Sequence, residues 1–282
     1  MKKIFKILIT ITSILLIISC SNNNKTDNTT FSENTSGVIK VATPGVHPLF
    51  SQINEAGQLE GYDIDVWEEI GKRLNKKIEW TQLALDGCFG ALDAGKVDTL
   101  TQQISITKTR MEKYYFSEPY FLSPYKFCVV SSNNSINKFE DMFGKKLGLA
   151  LGSAAHENIK RLDPEGKIEI VSFSPDTIIT LPNNVVNGKI DAYIEAEIIF
   201  EDRKAKTGLD LKLTGDTVYL EVNAFPFRKD EESKKLCDEV SKTIIEMRED
   251  GTLEKLAIKW FGYNPMEGLD VNAELEKLLS TF

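Results

Sequence analysis

Strand and helix signals alternate from residue 38 onward, and this constrains the fold more than anything else in the 282 residues. Residues 38–43 read as a strand, and 63–74 as a helix with Ile64, Trp67, Ile70 and Leu74 at helical spacing. A strand at 77–81, a helix at 86–94 stopped by Gly95 and a short buried strand at 97–101 follow. The pattern then restarts with strands at 126–130 and 146–150, a helix at 153–162, a strand at 167–171 and a helix at 176–186 ended by Asn187-Gly188. A strand at 190–194 and a helical stretch to Thr207 complete the round; 222–227 is extended, and 231–248 and 253–260 are amphipathic helices around Asp250-Gly251. Strands alternating with helices make an α/β domain with a largely parallel sheet, and two rounds of the pattern indicate two lobes.

The first 37 residues do not share this pattern. Lys2, Lys3 and Lys6 precede an apolar run at 7–18, too short for a comfortable membrane span, which ends in Ile17-Ile18-Ser19-Cys20. This resembles a bacterial lipoprotein signal, in which Cys20 becomes the lipidated first residue. Residues 20–37 are polar and predict a flexible tether between lipid and domain. Loss of the three lysines leaves 31 basic against 42 acidic side chains, a formal charge of −11. That balance argues against nucleic acid as a partner. Cys88, Cys128 and Cys237 have no spacing that marks a metal or redox pair, and are expected to be buried thiols. Nothing in the chain calls for a cofactor or a metal: Asp63-x-Asp65 sits at a helix start, where charge–dipole stabilisation accounts for it, and His156-Glu157 lacks the second His of a zinc helix.

One stretch, GKVDTLTQQISITKTRMEKYYFSEPY (95–120), concentrates recognition chemistry. Ser105 and Thr107 precede a helix start, and Arg110 lies one turn in. A hydroxyl, unpaired backbone N–H groups and a guanidinium fork can together receive a carboxylate. The same spacing also fits an N-capped helix with a solvated arginine.

Six pieces in order, GYDIDVWEEIGKRL (61–74), LDAGKVD (92–98), SITKTRMEKYYFSEPY (105–120), GKKLGLALGS (144–153), VNGKIDAYI (186–194) and MREDGTLEKLAIKWFG (247–262), resemble the extracellular solute-binding proteins (family 3 type) of polar amino-acid ABC transporters. Within that family, DGCFGALDAGKVDTLTQQISITKTR (86–110) and NAFPFRKDEES (223–233) are most similar to the cystine-binding branch. The resemblance implies an α/β, two-lobed, type II periplasmic-binding-protein-like clamp with two hinge crossings, near 124–127 and 224–227. Lobe one would comprise 38–124 and a return at 226–263, lobe two 125–225, and residues 264–282 a helical extension. It further implies a monomer in the cell envelope, anchored through Cys20, that passes an amino acid to a membrane permease and is no enzyme. By matching, Arg110 would grip the ligand carboxylate, Ser105 supply a hydroxyl, Gln103 a carbonyl for the ammonium, His47 the covering ring and Leu85 a pocket wall.

Lobe two departs from the family pattern. The Asp that usually holds the ammonium falls on Ala196, flanked by Glu195 and Glu197, and the helix-start hydroxyl is left to Ser153. A ligand lacking the amine fits these changes as well as an amino acid does. A dehydratase of cyclic acids on the same fold, with Glu195 or Glu197 as general acid, is the alternative.

Overall fold

The computed structural model describes residues 37–282. The first half is built on β1 (Val38–Thr43), which pairs in parallel with β5 (Lys77–Gln82) and β6 (Thr99–Leu100). A small antiparallel ribbon of β2 (Val46–His47), β3 (Ser51–Ile53) and β4 (Leu59–Glu60) precedes α1 (Tyr62–Leu74). Ile64, Trp67 and Ile70 of α1 are buried as their spacing predicts. Trp67 and Ile70 pack with Phe225 and Phe227 and with Val240, Ile244 and Met247 of α7 (Glu231–Glu249). Burying each such side chain contributes roughly 1.5 to 3 kcal/mol. α2 (Leu85–Asp93), α3 (Lys108–Lys113), β7 (Tyr114–Phe116) and α8 (Thr252–Phe261) complete this half.

The second half is a sheet in the order β10-β9-β11-β8-β12. Its strands are β8 (Phe121–Val130), β9 (Lys146–Ala150), β10 (Glu169–Phe173), β11 (Ala192–Ala196) and β12 (Leu211–Asn223). β9, β10 and β11 are parallel, and β8 runs antiparallel to β11 and β12. α4 (Ala154–Leu162), α5 (Leu181–Val186) and α6 (Glu197–Thr207) cover it, with Phe127, Leu147, Leu149 and Ile159 at its core. The helix expected over 176–186 divides into a 3-10 turn (Pro175–Thr180) and α5, because Pro182 fits only the first turn of a helix.

β8 and β12 are long enough to serve both halves. Tyr219↔Tyr125, Glu221↔Ser123 and Asn223↔Phe121 pair in a ribbon, beyond which Phe225 and Phe227, the latter on β13 (Pro226–Arg228), enter the first core. Alternation along each strand gives this ribbon two faces. Leu122, Val222 and Ala224 lie under Leu275 and Leu278 of α9 (Val271–Leu279), and Tyr125, Ser123, Tyr219 and Glu221 lie on the other side. The halves also meet where Ile198 and Ile199 of α6 join the first core, and where Thr109 Oγ1 donates to Glu157 Oε1 at 3.1 Å.

Cys88, Cys128 and Cys237 are buried free thiols, and burial pushes them up to about 11, 12 and 11. No helix among the described residues is long and apolar enough to cross a membrane.

Candidate functional site

The segment joining β6 to α3 is locked from below by one carboxylate. Asp63 is fully buried and accepts from Thr101 Oγ1 (2.7 Å), Gln103 N (3.2 Å), Gln103 Nε2 (2.9 Å) and Tyr120 OH (3.0 Å). Burial raises its pKa to about 6 against the pull of these donors. Asp63 does stand in the first turn of α1, as the charge–dipole reading has it, but a fully buried carboxylate must also be hydrogen-bonded, and this one organises a loop. Asp65, one residue further round, stays outside with Lys259 Nζ at 2.6 Å.

Held this way, Gln103 takes a positive φ of 51° and turns its carbonyl to Asn223 Nδ2 at 3.0 Å. Ile106 N donates to Val222 O and Ala224 N to Ile104 O, so the segment lies along the end of β12. The Ser105 hydroxyl donates to Glu221 Oε2 at 2.6 Å. Thr107 caps α3, its Oγ1 accepting from Arg110 N at 3.3 Å.

The Arg110 guanidinium then folds back on the segment, Nη1 donating to Ser105 O at 2.9 Å and the Cζ atom 5.6 Å from the Phe89 ring centroid. Among the described residues its nearest hydrogen-bond partner is that carbonyl, not a carboxylate. Burial lowers its pKa, with Glu221 and Glu157 pulling the other way. The solvated arginine allowed by the spacing is therefore not what the fold builds: the cation is half-buried with donors to spare.

A cavity of about 480 Å³ lies beside this network, between the β2–β3 turn and the second half. His47, Tyr125, Tyr193, Glu195, Ala196 and Arg203 are among its walls. His47 Nδ1 donates to Pro48 O at 3.3 Å, its ring meets Phe50 edge-on at 5.0 Å, and burial lowers its pKa to about 4, so the ring is neutral. Glu195 is buried, and its Oε1 accepts from Arg203 Nε (2.7 Å) and Nη2 (2.6 Å) and its Oε2 from Tyr193 OH (2.6 Å). Burial raises the Glu195 pKa, and Arg203 opposes that shift. Tyr125 bridges the two regions: it lines the cavity, stacks on Tyr219 at 5.2 Å and hydrogen-bonds to Glu221.

The residues singled out in the sequence thus divide. Gln103, Ser105 and Arg110 share one network, and His47 and Glu195 share one cavity. Leu85 instead packs beside Cys88 and Leu92 in a satellite core. Glu197 points to Lys126 Nζ at 3.5 Å. Ser153 caps α4, accepting from His156 N at 3.1 Å and donating to Ala150 O at 2.8 Å. Ser153→Ala is expected to cost about 1 kcal/mol of stability, read from urea denaturation midpoints. Sequence reasoning passed over Glu221, Asn223, Tyr125 and Arg203. A single acid inside the apolar run Val218-Tyr-Leu-Glu-Val222 was the available signal for the first.

Residues 39–263 match the profile of the bacterial extracellular solute-binding proteins, family 3. The chain belongs to this family. It is 34% identical over 261 residues to the "Probable amino-acid-binding protein YxeM" of Bacillus subtilis (strain 168), covering 93% of this chain and 96% of that one. It is 30% identical over 227 residues to the L-cystine-binding protein TcyJ of Escherichia coli (strain K12), covering 80% and 83%. Among solved structures, an ancestral arginine-binding protein bound to arginine superposes with a TM-score of 0.68 at 30% identity, covering 81% of this chain and all of that one. The fold is accordingly the two-lobed type II clamp that the sequence pieces implied, and membership of the family makes this an amino-acid ABC transporter solute-binding protein.

Proposed function

We propose that the chain captures a polar amino acid, with cystine among the candidates, between its halves and hands it to a membrane permease. The observation that carries this reading is Arg110: a half-buried guanidinium, braced by the Ser105 carbonyl, with a second edge left for a carboxylate. Gln103, Ser105 and Arg110 belong to the half comprising 38–124 and 226–263. That half takes the ligand first, and residues 125–225 close over it about the β8–β12 ribbon. His47 and Glu195 then meet the ligand side chain across the cavity. Leu85, Ser153 and Glu197 keep the packing, capping and ion-pair contacts described above and stay outside these contacts.

Binding without turnover fits Glu195 better than acid catalysis, because both its oxygens are already engaged by Arg203 and Tyr193. Residues 1–19 serve as a lipoprotein signal, Cys20 as the lipid-bearing residue and 20–37 as the tether, all but Gly37 outside the described residues. The protein works as a monomer on the outer side of a bacterial membrane. Residues 264–282 add a helix to the first half.

The test is calorimetric titration of the purified chain with L-cystine, L-arginine, L-histidine and L-glutamine. Each is paired with the same acid lacking its α-amine. At least one of the four amino acids is expected to bind and to raise the melting temperature, by about 2.7 kcal/mol of linkage at a hundredfold excess over Kd. Heat from the amine-free acids alone overturns the amino-acid reading, and silence from all of them overturns carboxylate capture.

A further inference from the structure

Position 196 lines the cavity but carries only a methyl group, so no charge reaches an ammonium from there. Glu195 beside it has its charge neutralised by the Arg203 guanidinium, with Nε at 2.7 Å and Nη2 at 2.6 Å. The negative charge closest to the Arg110 network comes from a different element, the β12 strand of the hinge ribbon. Glu221 is 6% exposed, accepts from Ser105 Oγ at 2.6 Å and from the Tyr125 and Asn223 side chains, all neutral donors, and attracts Arg110. Its neighbours on the same face of the strand are unusual. Asn223, fully buried, donates through its amide to the Gln103 carbonyl and to Glu221, which fixes the amide orientation and leaves Oδ1 without a partner. Tyr219, also buried, has no partner for its hydroxyl. A buried polar atom left without a hydrogen bond costs about 1 to 3 kcal/mol, and here two of them flank a carboxylate.

We propose that Glu221, with Asn223 Oδ1 beside it, receives the α-ammonium of the ligand from the hinge ribbon, in place of the carboxylate missing at position 196. The assignment rests on the reading that Arg110 holds the α-carboxylate. An α-amino acid carries its two charged groups on one carbon, so receptors for both must be neighbours. Ser105 supplies that adjacency, its carbonyl on Arg110 and its hydroxyl on Glu221. An ammonium has three donors, and a carboxylate oxygen plus an orphaned amide oxygen are complementary to it. Arg110 belongs to the half that binds first, and Glu221 to the ribbon about which the other half closes. The amine is therefore read at the hinge, and the cavity walls are left to read the side chain.

The experiment repeats the titrations with Glu221→Gln, using the amino acid that the unaltered chain binds and its amine-free counterpart. Glu221→Gln is expected to weaken the amino acid about ten- to a hundredfold, while the amine-free acid binds as well as before or better. Equal weakening of both, or affinity for the amino acid within about threefold of the unaltered chain, overturns the proposal. If the unaltered chain binds none of the four amino acids, the amino-acid reading itself falls and takes this one with it. Melting curves report whether Glu221→Gln folds. If it does not, Glu221→Asp, which retains the charge one methylene further back, must still narrow the preference for the amino acid over its amine-free form by about fivefold or more. An unchanged preference overturns the assignment.

Discussion

Asp63→Ala is expected to lower unfolding free energy by about 3 to 5 kcal/mol, the largest effect of any substitution considered, measured by urea denaturation at pH 7. The carboxylate takes four hydrogen bonds from Thr101, Gln103 and Tyr120, and alanine leaves each of those donors facing a void. The loss also frees the 101–105 segment, so ligand affinity should fall with stability. Asp63→Asn separates charge from shape and gives a signature in pH. The folded-state pKa of about 6 lies above the ordinary aspartate value of 3.8, so between these values the folded chain binds the proton and the unfolded chain does not. The contribution of this group is fully present below about pH 4 and is lost as pH rises through 6, a swing of about 3 kcal/mol. Going from pH 7 to pH 4, the unaltered chain should gain stability relative to Asp63→Asn; a constant difference would remove Asp63 as the source.

Arg110→Ala should weaken the bound amino acid about ten- to a hundredfold, since a charged hydrogen-bonded contact contributes roughly 1.5 to 3 kcal/mol. Stability should move little in the ligand-free chain. The guanidinium is partly desolvated and, among the described residues, donates to the Ser105 carbonyl, so its removal relieves a cost as well as losing a bond. Arg110→Lys keeps the charge without the fork and should recover only part of the affinity. Calorimetry on the three proteins decides this, and unchanged affinity in Arg110→Ala would place the carboxylate elsewhere.

What was legible in the sequence was what local pattern encodes. The spacing of Ile64, Trp67 and Ile70 gave α1, and Ser153 and Thr107 stand at the helix caps where their chemistry put them. The first half of β12 was not legible. Thr214-Gly215-Asp216-Thr217 has the composition of a turn, yet the strand continues through it with a register shift, Gly215 pressed against the Asn137 backbone where a Cβ would lie 2.5 Å from the carbonyl oxygen. In the site, Arg110 and Ser105 could be read because they lie on one short segment. Glu221 could not, because it reaches Ser105 across 116 positions of chain. Asp63 was legible only in part for the same reason: its place at a helix start is visible in one dimension, its burial under Gln103 only in three.

The α9 helix lies beyond the stretch matched by the family profile, yet it is laid against the hinge. Leu275 and Leu278 back Leu122 and Val222 on the face of the ribbon turned away from Glu221, and Met111 of the Arg110 helix joins the same cluster. The C-terminal helix therefore acts as a shared backing plate: one apolar cluster holds both the ribbon that joins the halves and the helix that carries the arginine. Cutting that plate away would bare the apolar side of the ribbon and loosen the arginine helix in the same event.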